Sequence, residues 1–345
     1  MRLRRDSVLW LGAFLGILLM IPALYTISLA GATADAAASH KPNVLFVVFD
    51  DLNTRLGCYG DPVAKSPNLD RLAARGITFH RAYCQQPICG PSRASFMTGR
   101  RPNTLGIWSM TRYPLDCYPD IKILPEWFKE HGYTAMSIGK VFAAYSHIDK
   151  SDFFRLSKPD RRTGGARKDE FWPHDPADKP MPRNLAKDPL CENRDLPDGA
   201  CFDTLSADLA IEELRDLAAK PEPFFLALGF FKPHTPYKVP KRYWDLYERD
   251  DIPAIGSPDR PEGAPDLAFH VNHEIMGTGT NRRTIDAAAQ REIRHGYYAA
   301  MSFADAQFGR VLDELDRLGI ADDTIVVAIS DNGFHLGLLQ HDFGH

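Results

Sequence analysis

Runs of apolar residues, separated by polar and proline-containing segments, divide this chain into predicted strands and helices. Residues 44–49 form a continuous apolar run rich in β-branched side chains, which is typical of a strand that is buried on both faces. Residues 134–138, 224–231 and 324–330 predict further strands.

Helices are predicted between these strands from apolar residues at helical spacing. Ser66 and Pro67 begin a short helix with a hydroxyl cap and a proline in its first turn, and Gly76 ends it. Further helices are predicted near residues 124–131, 204–217 and 301–318. Because strands alternate with helices, we predict an α/β fold with a mostly parallel central sheet and helices on both faces.

The composition is that of an ordinary globular protein. Of the 345 residues, 44% are hydrophobic and 25% are charged, which argues against a disordered chain. Lysine and arginine number 41 against 45 aspartate and glutamate residues, so the formal net charge is −4 and an electrostatic nucleic-acid binder is not expected. The length allows one large α/β domain or about two domains.

The N-terminal segment has the pattern of an export signal. Arginines at positions 2, 4 and 5 precede an apolar run at residues 8–30 and small residues through Ala38. We expect residues 1–36 to be a signal peptide, cleaved after Ala34 or Ala36, although the apolar run is also long enough to remain as an uncleaved membrane anchor. Residues 40–345 would then work in the periplasm, outside the cell or in a lysosome-like compartment.

Two long segments interrupt the alternation of strands and helices. Residues 151–201 and 237–283 are mostly irregular, and we expect both to lie at the surface and to shape a substrate pocket. Cys191 and Cys201 bracket a short polar stretch. Export makes a disulfide between them chemically allowed, and we predict one, with two reduced thiols as the alternative.

Acidic residues directly follow two of the predicted strands. Asp50 and Asp51 come after the first strand, and Asp331 and Asn332 come after the last. Either pair alone is often a turn former or helix cap, but the carboxyl ends of parallel strands lie at one edge of the sheet. Three carboxylates that converge there would repel each other without a cation. We therefore predict a site for Ca²⁺, or for Mg²⁺, since both ions prefer oxygen ligands.

A further candidate element begins at Cys89. The sequence Cys89-Gly90-Pro91-Ser92-Arg93 places a proline in the first turn of a predicted helix. Cys89 would lie at the amino end of that helix, where the dipole and free N–H groups favour anions, and Arg93 would follow one turn later. A lone cysteine is usually a small buried hydrophobic residue, so the helix start by itself does not identify a nucleophile.

The Cys-x-Pro-Ser-Arg segment at Cys89, with Thr-Gly-Arg at residues 98–100, resembles the signature of the Cys-type sulfatases of the alkaline phosphatase superfamily. Segments at residues 42–51, 66–76, 224–236 and 297–333 also resemble sulfatase segments, in the expected order. Within the family, Gly-Lys-Val-Phe at residues 139–142 and Lys-Pro-His-Thr-Pro at residues 232–236 are most similar to the iduronate-2-sulfatase branch.

The resemblance implies hydrolysis of sulfate esters through an unusual nucleophile. In this family a maturation enzyme oxidises the signature cysteine, here Cys89, to formylglycine, whose aldehyde hydrates to a geminal diol. One hydroxyl attacks the sulfur of a sulfate ester, and the other then expels sulfate, so that a hard displacement is divided into two steps. The implied metal ligands are Asp50, Asp51, Cys89, Asp331 and Asn332.

The resemblance also implies roles for three basic residues. Arg93 and Lys140 match the family residues that hold the modified residue and the sulfate oxygens. His234 matches the histidine that contacts the sulfate and helps to protonate the leaving oxygen. Sulfated carbohydrates, glycosaminoglycans among them, are the implied substrates, and the formylglycine-generating enzyme is an implied partner.

Two departures from the family pattern bear on the expected activity. The chain has Ala143 where the branch has a histidine, so a hydrogen-bond partner of the modified residue is missing. The family also continues to a sulfate-binding lysine and a smaller C-terminal domain, whereas this sequence ends at His345. We expect the loss of one cation beside the sulfate to lower the rate on the order of a hundredfold.

Two other functions agree with the same residues. A phosphomonoester or phosphonate hydrolase would use the same metal site on the same fold, although the Cys-x-Pro-Ser-Arg segment favours sulfate. A shortened, catalytically silent product that at most binds sulfated glycans is the second alternative, because the lysine and the smaller domain are missing.

Overall fold

The computed structural model describes residues 41–142, 190–253 and 286–336, together with residues 262, 263, 265 and 275. The described residues from Asn43 onward belong to one compact unit. The predicted signal peptide, Ala143 and residues 337–345 lie outside the described residues, as does most of the two irregular segments.

The described residues form six strands and eight α-helices, besides short 3-10 turns. The strands are β1 (Asn43–Asp50), β2 (Thr134–Gly139), β3 (Cys191–Glu192), β4 (Phe224–Pro233), β5 (Tyr237–Lys238) and β6 (Thr324–Ser330). The helices are α1 (Pro67–Arg75), α2 (Cys89–Thr98), α3 (Pro102–Leu105), α4 (Pro114–Cys117), α5 (Leu124–Glu130), α6 (Phe202–Ala218), α7 (Lys241–Trp244) and α8 (Ala287–Leu318). Every predicted strand and helix is present in the expected order.

The central sheet has four parallel strands in the order β2-β4-β1-β6. Val44 of β1 pairs with Phe225 of β4 on one side and with Ile325 of β6 on the other. Each connection between consecutive strands of this sheet contains a helix, as parallel pairing requires. The predicted α/β class with a parallel sheet is therefore confirmed.

Helices cover both faces of this sheet. Phe49 of β1 contacts the ring of Phe308 in α8, with centroids 5.7 Å apart. Phe46 points to the opposite face and contacts Phe96 in α2, with centroids 5.9 Å apart. Side chains alternate along a strand, so Phe46 and Phe49, three positions apart, lie on opposite faces, and both faces of β1 are covered by apolar contacts.

β6 is the outer strand of this sheet among the described residues. It pairs with β1 on its inner side, and Ile325 is 51% exposed. An outer strand carries backbone groups without a partner strand, and such groups can pair with a further strand.

The long helix α8 extends beyond its aliphatic stripe. The sequence predicts a helix at residues 301–318, but α8 begins at Ala287, where Asp286 accepts a hydrogen bond from a backbone N–H of the first turn. The first half of α8 packs in a cluster with Tyr237 and Trp244, so aromatic and small residues replace aliphatic ones there. Within the described ranges, no helix is long and apolar enough to cross a membrane.

A residue distant in sequence caps the amino end of α1. Ser66 stands at the N-cap position, but its hydroxyl accepts a hydrogen bond from the N–H of Gly57 and does not cap the helix. The buried carboxylate of Asp305 in α8 accepts from the N–H groups of Asn68 (3.1 Å) and Leu69 (2.7 Å) instead. The predicted hydroxyl cap is therefore wrong, and Asp305 connects α1 to α8.

The predicted disulfide between Cys191 and Cys201 is also wrong. Cys201 is a reduced, buried thiol just before α6, and burial raises its pKa to about 12. Cys191 lies in β3, which pairs with β5, and its thiol lies 3.7 Å from the carbonyl oxygen of Glu292 in α8. The strand pairing turns Cys191 toward α8, and no covalent bridge joins it to Cys201.

The cap on α1 leads to a prediction of stability. Asp305→Ala is expected to lower the free energy of unfolding by about 2 kcal/mol, because it leaves buried backbone N–H groups without an acceptor. The control is Asp313→Ala in the same helix, whose carboxylate is 66% exposed and paired with Arg71, and a loss below about 1 kcal/mol is expected there. Urea unfolding measures both variants, and equal losses would contradict the capping role.

Candidate active site

The carboxyl ends of all four strands of the central sheet carry predicted site residues. Asp50 is the last residue of β1, and Asp331 directly follows β6. Lys140 directly follows β2, and His234 directly follows β4. The possible ligand atoms of Asp50, Asp51, Cys89 and Asp331 all lie within 4.8 Å of one another.

Asp51 turns the chain at the end of β1. Its φ of 66° lies in the left-handed region, which aspartate tolerates better than most residues. The pairing of β1 with β4 also shifts between Phe49 and Asp50, and such irregularities redirect side chains. The N–H of Asp51 donates to Oδ1 of Asp331 (3.0 Å), and the hydroxyl of Tyr297 donates to the carbonyl oxygen of Asp51 (2.9 Å). The carboxylates of Asp50 and Asp51 are thereby both directed into the site.

The guanidinium of Arg93 joins three strand ends to α2. It is 1% exposed, and its Nε donates to Oδ2 of Asp331 (2.9 Å) while its Nη2 donates to Oδ1 of Asp50 (2.9 Å). Its Nη1 donates to the carbonyl oxygen of Lys140. The planar fork of donors suits this arrangement, because one side chain can meet several fixed acceptors.

Lys140 brings a second cation to the same carboxylate. Its Nζ pairs with Oδ2 of Asp50 and lies 5.6 Å from the ring centre of Phe231. Gly139 has a φ of 71°, and a Cβ added at Gly229 would lie 2.1 Å from the carbonyl carbon of Lys140. Only glycines allow β2 and β4 to approach this closely at the point where Lys140 turns toward Asp50.

His234 faces the site from the segment after β4. Its Nδ1 lies 2.6 Å from the carbonyl oxygen of Thr235, and its Nε2 lies 3.6 Å from Oδ2 of Asp51. A carbonyl oxygen only accepts hydrogen bonds, so Nδ1 carries the hydrogen in this contact. Nε2 therefore bears a proton only in the imidazolium form, and it is this nitrogen that faces the carboxylates.

The carboxylates of Asp50, Asp51 and Asp331 exceed the permanent cations, Arg93 and Lys140, by one formal charge. Burial alone would raise the pKa of Asp50, but the charges of Lys140, His234 and Arg93 outweigh it and hold that pKa well below its usual range. Burial raises the pKa of Asp331, although Arg93 acts against it. The site therefore holds more negative than positive charge, and a cation would stabilise it.

The thiol of Cys89 lies among these negative charges. It is 5% exposed, and its Sγ lies 3.9 Å from Oδ1 of Asp51. Burial, together with the charges of Asp50, Asp51 and Asp331, raises the pKa of the thiol far above its ordinary value. Reactive thiolates occur in positively charged surroundings, and the carboxylates around Cys89 provide the opposite.

The donor set fits a hard divalent cation. Three carboxylates lie beside the carboxamide of Asn332, whose Nδ2 donates to Oδ1 of Asp51 (2.6 Å) and whose oxygen can turn inward by rotation of the amide. The sulfur of Cys89 is a soft ligand that suits such ions poorly. A divalent ion would change the formal charge of the site from one negative to one positive.

Several residues that support the site were not predicted as site residues. The hydroxyl of Ser92 donates to the carbonyl oxygen of Asp331, and Tyr297 also accepts from the N–H of Asn53 (2.7 Å). Ser92 belongs to the Cys-x-Pro-Ser-Arg segment, and its place directly before Arg93 could have indicated a role in the site. Tyr297 lies in the buried first half of α8, where no aliphatic stripe marked a helix.

Comparison with known proteins indicates the family to which this chain is related. The Sulfatase family model matches residues 42–345. Iduronate 2-sulfatase of Homo sapiens is 35% identical over 344 residues, which cover 96% of this chain and 60% of that protein. A sulfatase of Formosa agariphila is 37% identical over 319 residues, which cover 86% of this chain and 60% of that protein. The chain therefore spans about 60% of the length of these curated relatives.

A solved structure shares the fold at lower identity. The phosphonate monoester hydrolase of Silicibacter pomeroyi is similar with a TM-score of 0.66 and 20% identity, over 88% of this chain and 65% of that chain. At this identity the likeness concerns the fold alone.

The carboxylate cluster leads to a prediction about metal binding. Ca²⁺ is expected to raise the melting temperature, because an ion that binds only the folded state stabilises it by about 2.7 kcal/mol at a hundredfold excess over its Kd. Asp331→Asn should weaken this shift, whereas Asp322→Asn, at an exposed position before β6, should leave it unchanged. Thermal unfolding with Ca²⁺, Mg²⁺ or EDTA measures the shift, and its absence under all three conditions would contradict a cation site.

Proposed function

Since the chain belongs to the sulfatase family, we propose that it hydrolyses sulfate esters and that sulfated sugars are its substrates. The observation that carries the proposal is the convergence of Cys89, three carboxylates and two buried cations at one edge of the sheet. The similarity to iduronate 2-sulfatase supports a sugar substrate, because iduronate is a sugar acid.

The proposed nucleophile is formylglycine, made from Cys89 by a maturation enzyme with an external oxidant. The position of Cys89 supports this, because its Sγ lies 3.9 Å from Oδ1 of Asp51, among the carboxylates of the proposed cation site. The hydrated aldehyde supplies two hydroxyl oxygens, one to attack sulfur and one to assist the departure of sulfate. An oxygen in place of Sγ would also suit the hard cation, Ca²⁺ or Mg²⁺, that Asp50, Asp51, Asp331 and Asn332 are proposed to hold beside it.

Arg93 and Lys140 are proposed to make the site attractive to an anion. Both are buried and fixed by Asp50, so they present positive charge without a cost of reorganisation when substrate arrives. An ammonium has three N–H donors, so Lys140 can contact a sulfate oxygen as well as Asp50. A bound divalent cation would add to this positive charge and stabilise the negative charge that develops on the sulfate.

His234 is proposed to protonate the leaving alcohol oxygen. Its Nδ1 is held by the carbonyl oxygen of Thr235, so Nε2 faces the site and delivers a proton only from the imidazolium form. General acid catalysis matters most for alcohols that leave poorly as anions, and sugar hydroxyls belong to this class.

We further propose that the protein is exported. The support is the basic, then apolar, then alanine-rich pattern of residues 1–36. Sulfated polysaccharides outside the cell would be the matching substrates, and the maturation enzyme would act on the chain before it is secreted.

The proposed modification is testable by mass spectrometry. In a host with the maturation enzyme, the side chain of Cys89 should lose sulfur, gain oxygen and carry two hydrogens fewer. The tryptic peptide at residues 82–93 also contains Cys84, so fragment ions must assign the change. Cys84→Ser should retain the conversion and Cys89→Ala should abolish it, and an unmodified Cys89 in the wild-type protein would contradict the proposal.

The proposed activity is testable with two chromogenic esters. The matured protein should hydrolyse p-nitrophenyl sulfate faster than p-nitrophenyl phosphate, and Cys89→Ala should abolish the turnover. Lys140→Ala should lower kcat about a hundredfold, because it removes a charge beside the sulfate. Lys122→Ala, at a 59% exposed side chain, is the control and should retain activity.

The outcomes of this assay separate the alternatives. Faster hydrolysis of the phosphate would favour a phosphomonoester hydrolase, and no turnover of either ester by matured protein would favour a catalytically silent product. If sulfate is preferred, a series of defined mono- and disaccharide sulfates, including 2-sulfated iduronate, identifies the sugar.

A further inference from the structure

We propose that Lys232 is a positioning residue that fixes the imidazole of His234 for proton transfer. This inference rests on the proposed function, in which His234 protonates the leaving oxygen. Lys232 does not reach the reacting atoms in this role. It acts through the backbone that carries His234.

The ammonium of Lys232 donates hydrogen bonds to two backbone carbonyl groups, and the carbonyl group between them contacts the imidazole of His234. The residue is 5% exposed, and its Nζ donates to the carbonyl oxygens of His234 (3.2 Å) and Pro236 (2.6 Å). The carbonyl oxygen between them, on Thr235, is the one that lies 2.6 Å from Nδ1 of His234. Three successive carbonyl groups are therefore held, two by Lys232 and one by the imidazole itself.

Lys232 is itself held at its backbone by α6. The carboxylate of Asp203, which is 2% exposed, accepts hydrogen bonds from the N–H groups of Phe231 and Lys232, both at 2.8 Å. The N–H of His234 donates to the carbonyl oxygen of Phe231 (2.9 Å). The end of β4 is thus fixed by Asp203 before the chain reaches His234.

A buried ammonium at this position needs an explanation beyond space filling. Burial lowers the pKa of Lys232 to about 8, although the carboxylate of Asp203 opposes this shift. An unbranched apolar side chain would occupy the same volume without loss of hydration. What it would lack are the donors that orient the peptide groups around Thr235, and this orientation determines whether Nδ1 keeps its acceptor and Nε2 faces Asp51.

The test is a comparison of leaving groups. In Lys232→Met, kcat/KM should fall about tenfold or more for the sulfate ester of a sugar alcohol, which needs a proton as it leaves. It should fall less than about threefold for p-nitrophenyl sulfate, whose phenolate leaves without one. A smaller fraction of folded or matured enzyme would lower kcat/KM for both esters by the same factor. The ratio of the two kcat/KM values therefore reports the positioning of His234.

A matched control and a second variant complete the test. Lys238→Met removes another buried lysine of the same segment, whose Nζ lies 3.7 Å from Oε2 of Glu192, and should leave the ratio unchanged. Lys232→Gln retains an amide donor, and a smaller change of the ratio in the same direction is expected. It also serves as the measured variant if Lys232→Met does not fold.

The results distinguish this inference from the proposed function. If the wild-type protein hydrolyses both sulfates but the Lys232 variants keep the wild-type ratio, the positioning role is overturned and the proposed function stands. If Lys232→Met changes the ratio as strongly in a His234→Ala background, Lys232 does not act through His234, and the inference is again overturned. If matured wild-type protein hydrolyses neither sulfate, the proposed function and the positioning role of Lys232 are both overturned.

Discussion

The buried guanidinium of Arg93 is the interaction on which the arrangement of the site depends. It is 1% exposed and lies between Asp50 and Asp331, which are both fully buried. Charges at this depth are tolerated only where each is paired and hydrogen-bonded, and removal of one partner leaves an uncompensated charge. Because Arg93 binds three strand ends at once, it fixes the position of α2 relative to the edge of the sheet. Its residues from Cys89 to Ser95 are accordingly all buried, whereas a surface helix keeps a solvated face.

The same charges account for the irregular backbone at the strand ends. In a regular strand, Asp50 and Asp51 would point to opposite faces of the sheet, and only one could approach Arg93. The left-handed turn at Asp51 brings the second carboxylate to the same place, and Tyr297 and Asp331 hold the strained peptide through hydrogen bonds. Local strain, close backbone contact and buried charge therefore occur together at one edge, while the rest of the sheet is regular.

The strands, the class of fold and the placement of the acidic residues could be predicted because each depends on local pattern and on one rule of parallel sheets. The features that could not be predicted depend on contacts between distant residues. Asp305 caps α1 across 237 positions in sequence, and nothing near Ser66 indicates that its hydroxyl is already used by Gly57. Likewise, Lys232 stands beside His234 in the motif, but its contacts with successive carbonyl groups depend on how the chain turns after β4. The first half of α8 was missed because tyrosine and glycine, and not leucine, pack against its neighbours.

The burial of Cys89 constrains the order of events under the proposed function. A maturation enzyme must reach the side chain, yet Cys89 is 5% exposed and is followed by Arg93, which holds α2 against the strand ends. Under the proposed function, the oxidation would therefore have to precede the docking of α2 against the strand ends. Arg93 and Lys140 also have a structural role at the strand ends. They neutralise most of the carboxylate charge, which allows the three strand ends to pack together with their acidic side chains buried.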